Sequence, residues 1–223
     1  MAYRTVDIEH GGGSLATVWL NRPGHGNAID ATMLDELSAV FGELNIAPSL
    51  RAIVLAARGP VFCAGVASDE NPGHVTNPGR PEAAAIAALL DTIHACRVPV
   101  VASVQGDCHG VGMALVAACD IVLAAGQASF SMHDASEPAE AMLSWLARTM
   151  PARAVQRYFL TGERFSAFDA RQLGLVHEVV AADALDERLQ IMVGALLRTE
   201  PQALARRRQL LRQLASRQPD QAV

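Results

Sequence analysis

The sequence predicts an α/β fold in a single domain. A length of 223 residues suits one core and leaves little room for a second. Short apolar, β-rich runs alternate with stretches of helical periodicity along the whole chain. Half of the residues are apolar (51%) and 18% are charged, the balance of an ordinary globular protein rather than a disordered or fibrous one.

The elements follow in order. Residues 5–9 and 16–20 flank Gly11-Gly12-Gly13 and read as a hairpin. Residues 32–44 place Met33, Leu34, Leu37, Val40, Phe41 and Leu44 on one helical face, and the helix ends before Pro48. Residues 52–57 form a short apolar strand, 81–96 an Ala-rich helix, and 98–104 another strand with Pro99 at its start. A Gly-bearing turn at 106–112 then leads into an apolar helix at 113–118, followed by strands at 121–124 and 129–132. After Pro138 the chain turns helical, with helices at 154–160, 167–173 and 184–198 and a strand at 176–180. From Pro201 a basic amphipathic helix runs into a polar end. The segment 71–81 (NPGHVTNPGRP) is too rich in Pro, Gly and Asn for a helix or central strand; it reads as a surface loop or as a flap over a site. Neither an internal repeat nor a low-complexity linker is legible.

Composition narrows the chemistry. A net charge of −5 argues against broad attraction to nucleic acid or anionic lipid. All 18 basic residues are arginine, which removes Schiff-base chemistry and lysine-dependent phosphate loops. The cysteines Cys63, Cys96, Cys108 and Cys119 show no CxxC pairing, and buried free thiols are expected. The histidines His10, His25, His74, His94 and His177 show no metal-ligand spacing. Residues 1–10 do not resemble a signal peptide, so the expected compartment is a reducing cytosol. The longest apolar stretch, 111–125, is interrupted by Asp120 and too short to span a bilayer.

Two places end a strand and enter a Gly-containing turn and helix: Phe62-Cys63-Ala64-Gly65-Val66 and Gly106-Asp107-Cys108-His109-Gly110-Val111-Gly112. Helix starts leave N–H groups unsatisfied, and glycine lets a ligand oxygen approach the backbone. Two such turns, if they converge, form an oxyanion hole from main chain alone; otherwise they are packing turns. Neither matches the glycine fingerprint of a dinucleotide or mononucleotide loop.

The ordered blocks Asn21-Arg22-Pro23, Asn27-Ala28-Ile29, Phe62-Cys63-Ala64-Gly65, Pro99-Val100-Val101-Ala102 through Gly106, Gly110 and Gly112, and Cys119-Asp120 resemble the enoyl-CoA hydratase/isomerase (crotonase) family. So does Leu160-Thr161-Gly162-Glu163-Arg164-Phe165-Ser166-Ala167, leading to Ala170 and Gly174-Leu175-Val176. The likeness spans residues 5–214; each block is weak alone, and the ordered set is specific. Arg157-Tyr158-Phe159 and Pro201-Gln202-Ala203-Leu204 look most like the methylglutaconyl-CoA hydratase branch.

The resemblance implies a spiral of ββα units over residues 1–180 and a shortened helical C-terminal region over 181–223. It implies a lyase adding or removing water on a 2-enoyl thioester, with the carbonyl held by the backbone N–H groups of Val66 and Val111 and a proton moved by Asp134. Ala28, Ala64, Val66, Ala67, Ser68, Gly110 and Val111 would contact the thioester. No metal and no separate cofactor are implied, since coenzyme A or a carrier protein arrives with the substrate. At Val111 the family more often has glycine, so the valine adds bulk at the hole.

Where hydratases of the family commonly place one carboxylate, this chain has Ala114. The other falls at His133-Asp134, with Asp134 either the acid–base or a strand-end cap and Glu137 or Glu140 as substitutes. His109 stands as an acyl-pocket wall or a water-orienting group, and His133 as a surface residue or a proton donor. Arg206-Arg207-Arg208 reads as a solvated helix face or as a contact to nucleotide phosphates. The rival activities are a one-carboxylate isomerase and a catalytically idle acyl-CoA or acyl-carrier binder. The resemblance also implies a homotrimer or hexamer. The apolar stripe Leu204, Leu210, Leu211 and Leu214 offers a partner subunit a face to bury, and the short C-terminus implies a weaker assembly and a more open pocket.

Overall fold

A computed structural model describes residues 3–67, 82–132 and 139–216. Strand β1 (Val6–Gly11) and strand β2 (Leu15–Leu20) pair antiparallel with Val6 opposite Leu20, turning through Gly12 and Gly13 at positive φ. Ala16, Val18 and Leu20 face the core by the two-residue period of the strand. Helix α1 (Ala31–Ile46) starts at Asp30, whose side chain accepts the Met33 N–H at 2.8 Å. It buries the six residues its periodicity selects, Met33, Leu34, Leu37, Val40, Phe41 and Leu44, each worth about 1.5–3 kcal/mol.

Three ββα turns follow. They are β3 (Ala52–Ala57), β4 (Val61–Cys63) and α2 (Ala83–Ala95); β5 (Val100–Val104), β6 (Asp107–His109) and α3 (Val111–Ala118); and β7 (Ile121–Ala125), β8 (Ser129–Ser131) and α4 (Ala139–Thr149). The first strand of each turn joins a sheet ordered β1-β2-β3-β5-β7-β10, where β10 is Glu178–Val180. The second joins a smaller sheet ordered β4-β6-β8-β9, where β9 is Phe165–Ser166. The α/β spiral is thus present, with β3, β5 and β7 parallel and stacked in register.

The implied spiral repeats in structure although no repeat is legible in the sequence. Strands buried on both faces, such as Ala52–Ala57, require only small or branched apolar residues, so identities drift between turns. In addition, the turn expected at 106–112 contains β6, and Val111 already opens α3, two residues ahead of the expected helix. The turn after β4 runs through Gly65 to Ala67 in pairing with Ile29, so no helix follows it directly among the described residues. Strands of two or three residues carry no readable period, which is why β6 and β9 escape sequence reading.

Helices α5 (Ala152–Thr161) and α6 (Ala167–Gln172) flank β9, and α7 (Leu185–Arg198) covers the far side of the large sheet. There Val193 joins Val54, Ala56 and Val101 in a second apolar cluster. Helix α8 (Pro201–Ser216) lies across the end of the core. Its Arg208 is not on a solvated face: it forks onto Asp120 at 2.6 Å through both Nε and Nη2, and also donates to the Cys96 carbonyl. Arg206 and Arg207 remain exposed. Of the expected leucine stripe, Leu204 is half-buried beside Leu50 and Pro99, whereas Leu210, Leu211 and Leu214 are exposed. All four cysteines are buried and none is in a disulfide, and burial pushes the Cys96 thiol up to about 11. Among the described residues, no helix is long and apolar enough to cross a membrane.

Candidate active site

The first turn is built on Asn27. Its φ of 54° lies in the left-handed region, and its side chain is fully buried. The amide nitrogen donates to the carbonyls of Arg58 (2.9 Å) and Val61 (2.7 Å), while Oδ1 accepts the Arg22 N–H (2.7 Å). Arg22 in turn donates to the Ala28 carbonyl and pairs with Asp30 at 2.6 Å. Ile29 then pairs with Val66: the Ile29 N–H donates to the Gly65 carbonyl, and the Ala67 N–H to the Ile29 carbonyl. The Asn21–Ile29 block therefore fixes the path of residues 64–67.

The second turn sits beside it. Strands β4 and β6 are parallel neighbours with Cys63 opposite Cys108, so both chains leave the small sheet at the same edge. Gly112 packs directly on Cys63; a Cβ there would come within 2.7 Å of the Cys63 Cβ, so only glycine fits. Gly110 adopts φ 51° and ψ −125°, a conformation natural only to glycine, and Val111 is the first residue of α3. The two turns, which the sequence leaves open as a converging pair or as packing turns, lie side by side.

The remaining expected site residues divide. Ala64 is exposed, and Ala28 and Ala67 are half-buried around the paired segment. The side chains of Val66 and Val111 both belong to the main core cluster, at 5% and 1% exposure, so the bulk expected at Val111 is absorbed by the core. Ala114 is also fully buried in that cluster, one turn into α3. Glu140 is exposed in the first turn of α4. Ser68, His133, Asp134 and Glu137 lie outside the described residues.

A polar cluster that sequence reading missed lines one face of the small sheet. The Ser131 hydroxyl is hydrogen-bonded to His109 Nδ1 at 2.8 Å. Asp107 Oδ2 lies 3.8 Å from His109 Nε2 and 3.6 Å from an Arg164 guanidinium nitrogen. The Ser129 hydroxyl donates to Asp107 Oδ1 at 2.8 Å. The available signal was alternation, 129 with 131 on the expected strand and 107 with 109 on β6, which is too short to show a period.

A spiral of ββα turns with two glycine-bearing backbone turns at one sheet edge defines a class, and comparison with known proteins agrees. The family model described as enoyl-CoA hydratase/isomerase matches residues 10–223. The chain is 32% identical over 183 residues to a probable enoyl-CoA hydratase of Rhodobacter capsulatus, covering 81% of this chain and 70% of that one. It is 30% identical over 196 residues to a peroxisomal Delta(3,5)-Delta(2,4)-dienoyl-CoA isomerase of Arabidopsis thaliana, covering 80% and 70%. The crystal structure of an enoyl-CoA hydratase from Mycobacterium smegmatis superposes with a TM-score of 0.86 at 31% identity, covering 98% of this chain and 85% of that one. This chain belongs to the enoyl-CoA hydratase/isomerase family.

Proposed function

We propose that the protein binds an acyl-CoA thioester with its carbonyl oxygen between the N–H groups of Val66 and Val111, and adds or removes water across a 2,3 double bond. The observation that carries this reading is the side-by-side placement of the two turns, locked by Gly112 on Cys63 and by the pairing of Ile29 with Val66. Two main-chain donors aimed at one oxygen stabilise the enolate that forms when a proton or water is added or removed, and each donor is worth about 3 kcal/mol of barrier. Asp134 moves the proton, and coenzyme A enters as part of the substrate. Hydration in the methylglutaconyl-CoA manner fits a single surviving carboxylate.

Isomerisation is the second reading, and Ala114 favours it. A buried methyl stands where a second carboxylate would help position water, and moving a double bond needs only one acid–base group. Parallel assays of water addition to crotonyl-CoA and 3-methylglutaconyl-CoA beside 3-enoyl-CoA isomerisation separate the two.

The backbone account has its own test at Val111. Proline at the first position of a helix is tolerated by the fold, yet it lacks the N–H. Val111→Pro should lower kcat about a hundredfold or more while Val111→Ala stays within a few-fold. Equal losses from both would assign the effect to the side chain and refute the two-donor reading.

A further inference from the structure

The Gly110–Val111 peptide is held in an orientation that its own backbone preferences do not select, since φ 51° with ψ −125° has no local stabilisation beyond the freedom of glycine. Something outside the turn must impose it. Ser131 does so at two consecutive residues: its carbonyl accepts the Gly110 N–H at 3.0 Å, and its hydroxyl is bonded to His109 Nδ1 at 2.8 Å. His109 is buried, with 8% of the residue exposed. On its other side stands Asp107, whose carboxylate is fixed by the Ser129 hydroxyl and approached by Arg164. His109 and Ser131 are partners in the β6–β8 register, so the clamp joins the last residues of two strands immediately before the peptide in question.

We propose that His109, bonded to Ser131 and flanked by Asp107, is a positioning residue that aligns the Val111 N–H on the thioester oxygen. The proposal rests on the two-donor reading above and adds residues to it. An apolar residue at 109 would pack at this point without gripping the Ser131 hydroxyl, so the clamp would lose its side-chain contact. The clamp therefore acts on the direction of the donor, a quantity that affects the transition state more than ground-state binding.

The test uses crotonyl-CoA labelled with carbon-13 at the carbonyl, reading its stretching frequency on the enzyme by difference infrared spectroscopy alongside kcat and KM. Ser131→Ala and His109→Gln both lose the Nδ1 contact. Each should lower kcat roughly tenfold, less than deletion of a donor, with KM changed less than about twofold. Each should also reduce the downward shift of the bound carbonyl. His109→Asn, whose amide occupies the place of Nδ1, should recover most of both. The double variant should lose no more than either single one, because both remove the same contact. If either variant folds and binds with the full carbonyl shift retained, His109 is a packing residue and the proposal is overturned. A wild-type complex that binds crotonyl-CoA without any carbonyl shift would instead refute the two-donor reading itself, and this proposal with it.

Discussion

At Asn27 the chain needs a left-handed backbone and three buried hydrogen bonds at once, and asparagine is the residue that supplies both. Its side chain ties the Arg22 N–H to the Arg58 and Val61 carbonyls, so it joins the loop before α1 to the strand that leads into the first turn. Asn27→Ala leaves those groups buried without partners and should destabilise the protein by about 3 kcal/mol or more in urea unfolding. Asn27→Gly loses the same bonds but relieves the backbone, so it should be about 1 kcal/mol less harmful than alanine. The reverse order would show that backbone conformation contributes nothing here. Asn27 was legible in the sequence as part of a block, whereas Ser131 was not. The difference is not reach, since Asn27 bonds across 31 and 34 positions and Ser131 across 22; Asn27 stands in the contiguous Asn21–Ile29 block that carries the family likeness, whereas Ser131 stands in no such block.

Helix α8 shows how an element's role can hinge on one residue. Its arginine run reads as one charged face, yet the helix turns Arg208 inward while Arg206 and Arg207 stay in water. The buried fork onto Asp120 also positions that carboxylate to accept the Val100 N–H at 2.8 Å, so it ties the helix to the start of β5. Breaking such a pair strands the remaining charge. Arg208→Ala should destabilise by about 3–5 kcal/mol, and Arg208→Lys should fail to restore it because an ammonium cannot fork. Arg206→Ala and Arg207→Ala should stay within about 0.5 kcal/mol. Denaturant midpoints for the four variants decide this; similar values throughout would mean that α8 docks through Leu204 alone.

For the whole molecule, the same corner sets a dependence on pH. His94 is half-buried, packed edge-on against Trp145 at 4.9 Å, with Arg212, Arg208 and Arg148 nearby. Desolvation, then the Arg212 charge, hold its pKa below the ordinary value, and Asp120 offsets this only in part. His177 is shifted the same way by desolvation, with Nδ1 accepting the Val122 N–H at 3.1 Å. The unfolded chain therefore binds protons on these residues more readily than the folded one. Their contribution is fully present above about pH 6.5 and is lost as the pH falls through the lowered folded values. Stability should decline as the pH falls below about 6.5, before the carboxylates Glu178 and Asp169, both shifted down, begin to titrate. His94→Gln should flatten that decline, and an unchanged slope would remove His94 as its source.

The six buried positions of α1, the apolar strand β3 and the two glycine-bearing turns followed from the sequence, because their signals are local: helical period, β-rich composition and the backbone freedom of glycine. The order of those blocks also carried the family likeness. Tertiary structure alone decided the rest. Strands β6 and β9 exist only because neighbouring strands pair with them, and Arg208 is buried only because Asp120 lies 88 residues away in sequence and 2.6 Å away in space. The Asp107–His109–Ser131 line likewise arises from the register of β6 against β8. Short-range preferences are written in each segment of chain, whereas a polar contact between distant segments is specified only once the apolar core has fixed which strand ends meet.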